Sequence, residues 1–239
     1  MNKEEKLLIF TQTNQYNEHG GFTPAAYQRM LGDILEWERA IHHYTVYRML
    51  KEERCLVMLG MTYEIRKALD PEALFYGRTW ISDKKGSILR REIGVYNEEG
   101  ELLIAAASFF GWVDMKTRRL IREPLKETVE GEKLLQADSR CTFAAEKMRT
   151  VASIEIPPSY IDEAGHVTNV RYLEMTYNAL PKRKRQQLDR LQRCESFFLR
   201  ELTREEKVEI RYDGAEDPLY QIIKENGETS FLQKLYFRL

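Results

Sequence analysis

A histidine, an aspartate and an asparagine crowd into one segment of the second half of the chain. It reads Tyr160-Ile161-Asp162-Glu163-Ala164-Gly165-His166-Val167-Thr168-Asn169, followed by Tyr172-Leu173-Glu174. Hydrolytic attack on an activated carbonyl needs a group to activate water and donors to hold the oxyanion. Backbone N–H groups at a helix start point outward and carry partial positive charge, which suits the second task. A histidine or carboxylate beside them suits the first. The same Asp-x-x-x-His spacing is also a common capping loop, so the segment alone leaves both readings open.

The elements around it are legible. A strand over 150–157 ends at Pro157-Pro158, a Gly-bearing loop carries the segment, and a helix over about 168–180 stops at Pro181. A short polar helix is expected through Lys182–Arg190. Strands are expected at 194–202, 207–213, 219–225 and 230–239, with Asn226-Gly227 as a hairpin turn between the last two. Lys207-Val208-Glu209-Ile210-Arg211-Tyr212 alternates as a half-buried strand does.

The first half runs in the same order. A strand over 6–12 and a loop through His19-Gly20-Gly21 lead to Thr23-Pro24, a good helix cap with proline in the first helical position. Ala26, Met30, Ile34, Trp37 and Ile41 then recur at helical spacing, giving one apolar face. Strands follow at 54–66, 73–82, 87–96 and 101–114, broken by Asp83-Lys84-Lys85-Gly86 and Asn97-Glu98-Glu99-Gly100. Glu18, Gly20, Thr23, Tyr27, Met30 and Leu35 reappear as Glu163, Gly165, Thr168, Tyr172, Met175 and Leu180, each pair offset by 145 positions (Glu18 to Glu163, for instance). Together with the repeated order of elements, this reads as an internal duplication of an α+β unit. At that offset Gly21 stands where the second half has His166, and Asn17 where it has Asp162. If one half carries chemistry, it is the second.

Asp162, His166, Val167, Asn169 and Tyr172 resemble a segment of the plant and bacterial acyl-ACP thioesterases, close to D-x-D-x-N-x-H-V-N-N-x-x-Y. In that family the segment lies in the C-terminal hot-dog domain, with a catalytic Glu downstream on a strand. The run Phe197-Phe198-Leu199-Arg200-Glu201-Leu202, followed by Glu206-Lys207-Val208-Glu209-Ile210, resembles that strand and places the Glu at Glu201. In the first half, Gly77-Arg78-Thr79-Trp80, Arg91, Gly100-Glu101, Ala107-Ser108 and Thr117-Arg118-Arg119-Leu120 follow the family's order. The resemblance thus covers nearly the whole chain.

It implies an α+β protein of two fused hot-dog domains, each a curved antiparallel sheet wrapped around a central helix. The expected division is an N-terminal substrate-binding or structural domain over 1–125, a linker over 126–147 and a catalytic domain over 148–239. It implies hydrolysis of an acyl thioester on acyl carrier protein to free fatty acid and holo-carrier, in fatty acid biosynthesis. Asp162, His166 and Glu201 would be catalytic, with Glu201 as base or nucleophile, His166 moving a proton to the departing thiol and Asp162 orienting His166 or its loop. Val167, Thr168 and Asn169 would supply oxyanion or positioning contacts. No cofactor and no metal are implied.

The pattern departs from the family at Tyr160, Ala164 and Thr168. The resemblance implies that the amide missing at Ala164 helps to position the carbonyl or its acidic partner, at a cost on the order of a hundred- to a thousandfold in rate. That departure keeps open a second reading, a weakly active or non-catalytic acyl-thioester-binding protein. An acyl-CoA thioesterase is a third.

Composition fits an ordinary globular chain: 43% apolar, 31% charged and a net charge of −1, which disfavours broad binding to nucleic acid. Cys55, Cys141 and Cys194 form no CxxC pair, which fits a reducing compartment. After Met1-Asn2-Lys3-Glu4-Glu5-Lys6, the run Leu7–Phe10 is too short for a signal-peptide core or a membrane span. The expectation is a cytoplasmic monomer or homodimer with no stable membrane association. Lys182, Arg183, Lys184 and Arg185, with Arg190 and Arg193, form a basic cluster suited to an acidic carrier protein, and Arg118, Arg119 and Arg122 form another. The alternative for both is a solvated face. His42-His43 reads as a solvated pair, and Trp80, Phe109, Phe110 and Trp112 as core or as an acyl-chain pocket.

Overall fold

Thr23 opens the first helix as its chemistry requires: its Oγ1 accepts the Ala26 N–H at 3.1 Å, and α1 spans Pro24–Ile41. The computed structural model describes residues 7–10, 13–42, 46–122, 128–145 and 147–238. Met1–Lys6, His43 and the join at 123–127 therefore lie outside the described residues, as do 11–12 and Leu239 at the ends of expected strands.

The chain divides into two compact units. The first comprises the described residues up to Thr13 together with Met30–Ser139, and the second comprises Asn14–Arg29 together with the described residues from Arg140 on. The break at 139/140 falls inside the stretch 126–147 expected as a linker. Asn14–Arg29 groups with the second unit although it stands early in the sequence. Two bonds within that unit show why: Asn17 Nδ2 donates to the Arg185 carbonyl at 2.8 Å, and Arg29 Nη2 lies 3.2 Å from Glu174 Oε1.

In the first unit β1 (Leu7–Phe10), β2 (Arg54–Ile65), β3 (Leu74–Lys85), β4 (Ile88–Tyr96) and β5 (Leu102–Asp114) form an antiparallel sheet in the order β1-β3-β4-β5-β2. Every residue of β4 and β5 except the terminal ones is buried, so both faces of the sheet are covered. Alternation assigns the faces. On one, Ile34 of α1 lies so close over Gly77 that any Cβ there would meet it at 2.5 Å, and Arg91 pairs with Glu38 of the same helix. On the other, Ala105 and Ala107 pack against Leu135.

That second face also holds a buried ion pair. Glu92 is fully buried and accepts from Arg90 Nε and Ser82 Oγ, both at 2.6 Å, and from the Leu134 N–H at 3.0 Å. Arg90 in turn donates to the carbonyls of Leu135 and Ala137. The pair therefore clamps the 134–137 strip onto the sheet. Two short elements of this unit, α2 (Val46–Lys51) and β6 (Arg119–Leu120, paired with β5), are below the length at which hydrophobic periodicity signals anything.

In the second unit β7 (Arg149–Glu155), β8 (Leu191–Phe198), β9 (Lys207–Tyr212), β10 (Leu219–Lys224) and β11 (Thr229–Phe237) run in the order β8-β11-β10-β9-β7. Helix α3 (Asn169–Asn178) packs on β10 and β11, and a single turn, α4 (Lys182–Arg185), follows it. Phe197, Leu219 and Leu232 form a cluster covered by Cys141, Phe143 and Met148. The stretch expected as a linker thus contributes to the cover of each sheet, through 134–137 on one and through Cys141 and Phe143 on the other.

Replacing Glu92 by Ala leaves the Arg90 guanidinium buried without its carboxylate and the Leu134 N–H without an acceptor. Equilibrium unfolding in urea should show a loss of about 3–5 kcal/mol. Limited proteolysis should open first at the 134–137 strip.

Candidate active site

The loop before α3 is built twice. In the second half Asp162 N–H donates to the His166 carbonyl, Gly165 N–H donates to the Asp162 carbonyl, and Asp162 Oδ1 accepts the N–H groups of Ala164 at 2.9 Å and His166 at 3.3 Å. In the first half Asn17 N–H donates to the Gly21 carbonyl, Gly20 N–H donates to the Asn17 carbonyl, and Asn17 Oδ1 accepts from His19 and Gly21, both at 2.9 Å. All of these bonds map onto one another at the 145-residue offset. So do the bridges Ile161 to Val167 and Tyr16 to Phe22. Gly165 and Gly20 take the left-handed conformation that closes the turn, with φ of 83° and 76°. Even the pair Arg29 and Glu174 joins equivalent positions.

What differs is the residue that the turn presents. A Cβ at Gly21 would stand 2.7 Å from Leu188 Cβ, so that copy has no room for a side chain. At His166 the imidazole has room, and its Nε2 lies 3.2 Å from Glu201 Oε2. The histidine side chain is 16% exposed and the glutamate 46%, so the pair has a sheltered end and a wet end.

Asp162 acts on the backbone of the loop: its carboxylate holds the turn that aims His166. Asn17 does the same work with an amide oxygen, so a negative charge is not needed to form this turn.

Glu201 was expected on a strand, but β8 ends at Phe198 and Glu201 lies in the connection that follows. The connection is nonetheless pinned. Val167 N–H donates to the Leu202 carbonyl at 2.9 Å, Leu202 N–H donates to the Tyr172 hydroxyl at 3.0 Å, and Thr203 N–H donates to Glu206 Oε2. The Ser230 carbonyl accepts from both Leu199 and Arg200, while Ser230 Oγ donates to the Arg200 carbonyl. Leu202 itself is fully buried and anchors the segment. The Tyr172 ring packs against Phe198 and Phe231, and burial pushes its phenol up to about 12. It therefore stays protonated across the ordinary working range. Tyr172 entered the sequence reading as part of a motif and as the counterpart of Tyr27, with no role of its own, and Ser230 was not singled out. Nothing in a serine at the start of a strand signals a contact thirty residues away.

The oxyanion assignment also changes. Val167 N–H is committed to Leu202, and Thr168 N–H to the Tyr160 carbonyl at 3.1 Å, so neither is available to a substrate. The Thr168 side chain makes no capping bond to the helix either. The outward-facing donors move to the first turn of α3, where Asn169 and Val170 precede any carbonyl of their own helix.

The basic cluster is likewise not what its composition suggests. Lys184 is 5% exposed, its ammonium bonded to the carbonyl and carboxylate oxygens of Glu216 and lying over the Phe237 ring. Arg185 is half-buried. Lys182, Arg183 and Arg190 remain exposed. A one-turn helix must turn one of four consecutive side chains inward, and here it is the third. Of the other candidates, His42 pairs with Glu38 at 3.7 Å, Trp80 donates to the Glu132 carbonyl, and Phe109, Phe110 and Trp112 are buried. Cys194 is buried beside Ser196 and Gln233. No helix among the described residues is long and apolar enough to cross a membrane.

No family model and no curated protein sequence matches the chain; its likeness to known proteins is one of structure. An acyl-ACP thioesterase from Bacteroides thetaiotaomicron superimposes with a TM-score of 0.84 at 16% identity, over 98% of this chain and 97% of that one. The 12:0-ACP thioesterase of Umbellularia californica gives 0.77 at 13% identity, over 98% and 96%. A MaoC-like dehydratase from Phytophthora capsici gives 0.52 at 13% identity, over 77% and 72%. The chain therefore has the tandem hot-dog fold. Since that fold also carries a dehydratase, the chemistry has to be argued from residues.

Because Asn17 builds the same turn, Asp162→Asn should leave thermal stability within about 0.5 kcal/mol of the native protein. Asp162→Ala strands two backbone donors and should cost about 1–2 kcal/mol. Thermal unfolding of the two variants side by side checks this.

Proposed function

We propose that the chain is a member of the acyl-ACP thioesterases and hydrolyses acyl thioesters of acyl carrier protein, releasing free fatty acid and holo-carrier within fatty acid biosynthesis in the cytoplasm. The observation that carries this reading is the His166–Glu201 pair, 3.2 Å apart and half open to solvent, on the loop that leads into α3. The whole-chain likeness in fold to two acyl-ACP thioesterases supports it.

In this mechanism Glu201, the wetter of the two, takes a proton from a water molecule as the water attacks the thioester carbonyl. The developing oxyanion meets the N–H groups of Asn169 and Val170, where the helix dipole adds its partial positive charge. The C–S bond then breaks, His166 delivers a proton to the departing thiolate, and the proton held by Glu201 passes to His166, which restores both groups. Asp162 keeps His166 in place through the turn. Direct attack by the Glu201 carboxylate is the other route open to the same pair. The exposed Lys182, Arg183 and Arg190 offer a docking face for an acidic carrier protein.

Ala164 favours a second reading. Its methyl group stands where the resemblance calls for a side-chain amide, which suits a protein that binds acyl thioesters with little or no turnover.

The two are separated by assaying purified protein against acyl-ACP and acyl-CoA thioesters of several chain lengths. Turnover that falls about 10²–10⁴-fold in His166→Ala and in Glu201→Gln is the expected result. Binding without turnover, regained in Ala164→Asn, would establish the binder instead. For the docking face, Lys182→Glu with Arg183→Glu should raise KM for acyl-ACP severalfold while leaving acyl-CoA kinetics unchanged. Equal losses on both substrates would remove that face from the proposal.

A further inference from the structure

Glu201 stands outside the sheet, yet the chemistry requires its carboxylate within bonding distance of His166. The two peptide groups that flank it are joined by side chains from elsewhere. Leu202 N–H, on one side of Glu201, donates to the Tyr172 hydroxyl. Ser230 Oγ donates to the Arg200 carbonyl, on the other side. The two bonds therefore bracket Glu201, one on each of the peptide groups that flank it.

We propose that Tyr172 and Ser230 act together as positioning residues that hold Glu201 against His166. The inference rests on the thioesterase reading of Glu201. Both residues are buried, at 3% and 0% exposure, so water cannot readily take the place of either hydroxyl. The two hydroxyls come from different elements, α3 and the start of β11, and meet on the segment after β8. Val167 N–H, bonded to the Leu202 carbonyl, ties the same segment to the residue next to His166. These bonds thus reach both partners of the reacting pair, while neither hydroxyl belongs to that pair.

The test combines kinetics on acyl-ACP with amide hydrogen exchange at Leu202, on the full chain, for Tyr172→Phe and Ser230→Ala. Each variant should lower kcat by about tenfold with KM within about twofold. Tyr172→Phe should also speed Leu202 exchange by about tenfold. Loss of kcat with KM held is the signature of a displaced Glu201, which a general packing defect would not give. Ser230→Thr, which keeps the hydroxyl, should restore kcat. If that variant does not fold, the split between kcat and KM in the two other variants still decides.

Unchanged kcat in either Tyr172→Phe or Ser230→Ala overturns the inference, in a protein whose turnover depends on Glu201. Absence of turnover in the native chain overturns the thioesterase reading instead, and with it the positioning role given to the two hydroxyls.

Discussion

A carboxylate that has left its strand keeps its place only if its peptide groups find partners elsewhere, and the candidate site depends on that condition being met at Glu201. A strand residue is located by its ladder, whereas a residue in a connection is located by whatever bonds its neighbours make. Here Leu202 is buried, so its N–H and C=O must be satisfied inside the protein. They are satisfied by α3 and by the residue that precedes its cap: the Tyr172 hydroxyl takes the N–H, and Val167 gives its N–H to the carbonyl. The need to pair one buried peptide therefore brings the glutamate to the helix that the histidine loop introduces.

The histidine side is fixed by a different rule. A turn closed by a left-handed glycine and a side-chain oxygen presents its last residue in a defined direction, and the chain uses that turn twice. Before α1 the presented residue abuts Leu188 and has to be glycine. Before α3 the space is open, and the residue is His166. One piece of local geometry thus produces a packing joint in one copy and an imidazole in the other. The asymmetry comes from the surroundings of the turn, because the turn itself is the same.

Burial also redistributes roles that composition had assigned. Lys184 looked like one of four equivalent cations, but a single helical turn cannot expose four consecutive side chains. Its ammonium holds Glu216, leaving a smaller charged face at Lys182, Arg183 and Arg190. Val167 and Thr168 looked like oxyanion donors because they stand at the helix start. They sit one step too early, where the N–H groups close the loop instead. In the first unit the Arg90–Glu92 pair works in the same spirit, using buried charge to hold a strip of chain that has no strand of its own.

The sequence by itself determined the elements, the duplication and the loop. Its periodicities mark all the long strands and both main helices, since those depend on neighbours three, four or two residues apart. The 145-residue offset identifies the repeated turn, and the His-bearing copy is legible because Gly21 and His166 occupy the same place in it. The tertiary structure alone decided that Glu201 lies beyond its strand, that Ser230 and Tyr172 bracket it, and that 134–137 covers one sheet while Cys141, Phe143 and Met148 cover another. Those contacts join residues far apart in the chain. Local spacing encodes which face of an element is apolar, but not which distant hydroxyl will find a peptide left without a partner.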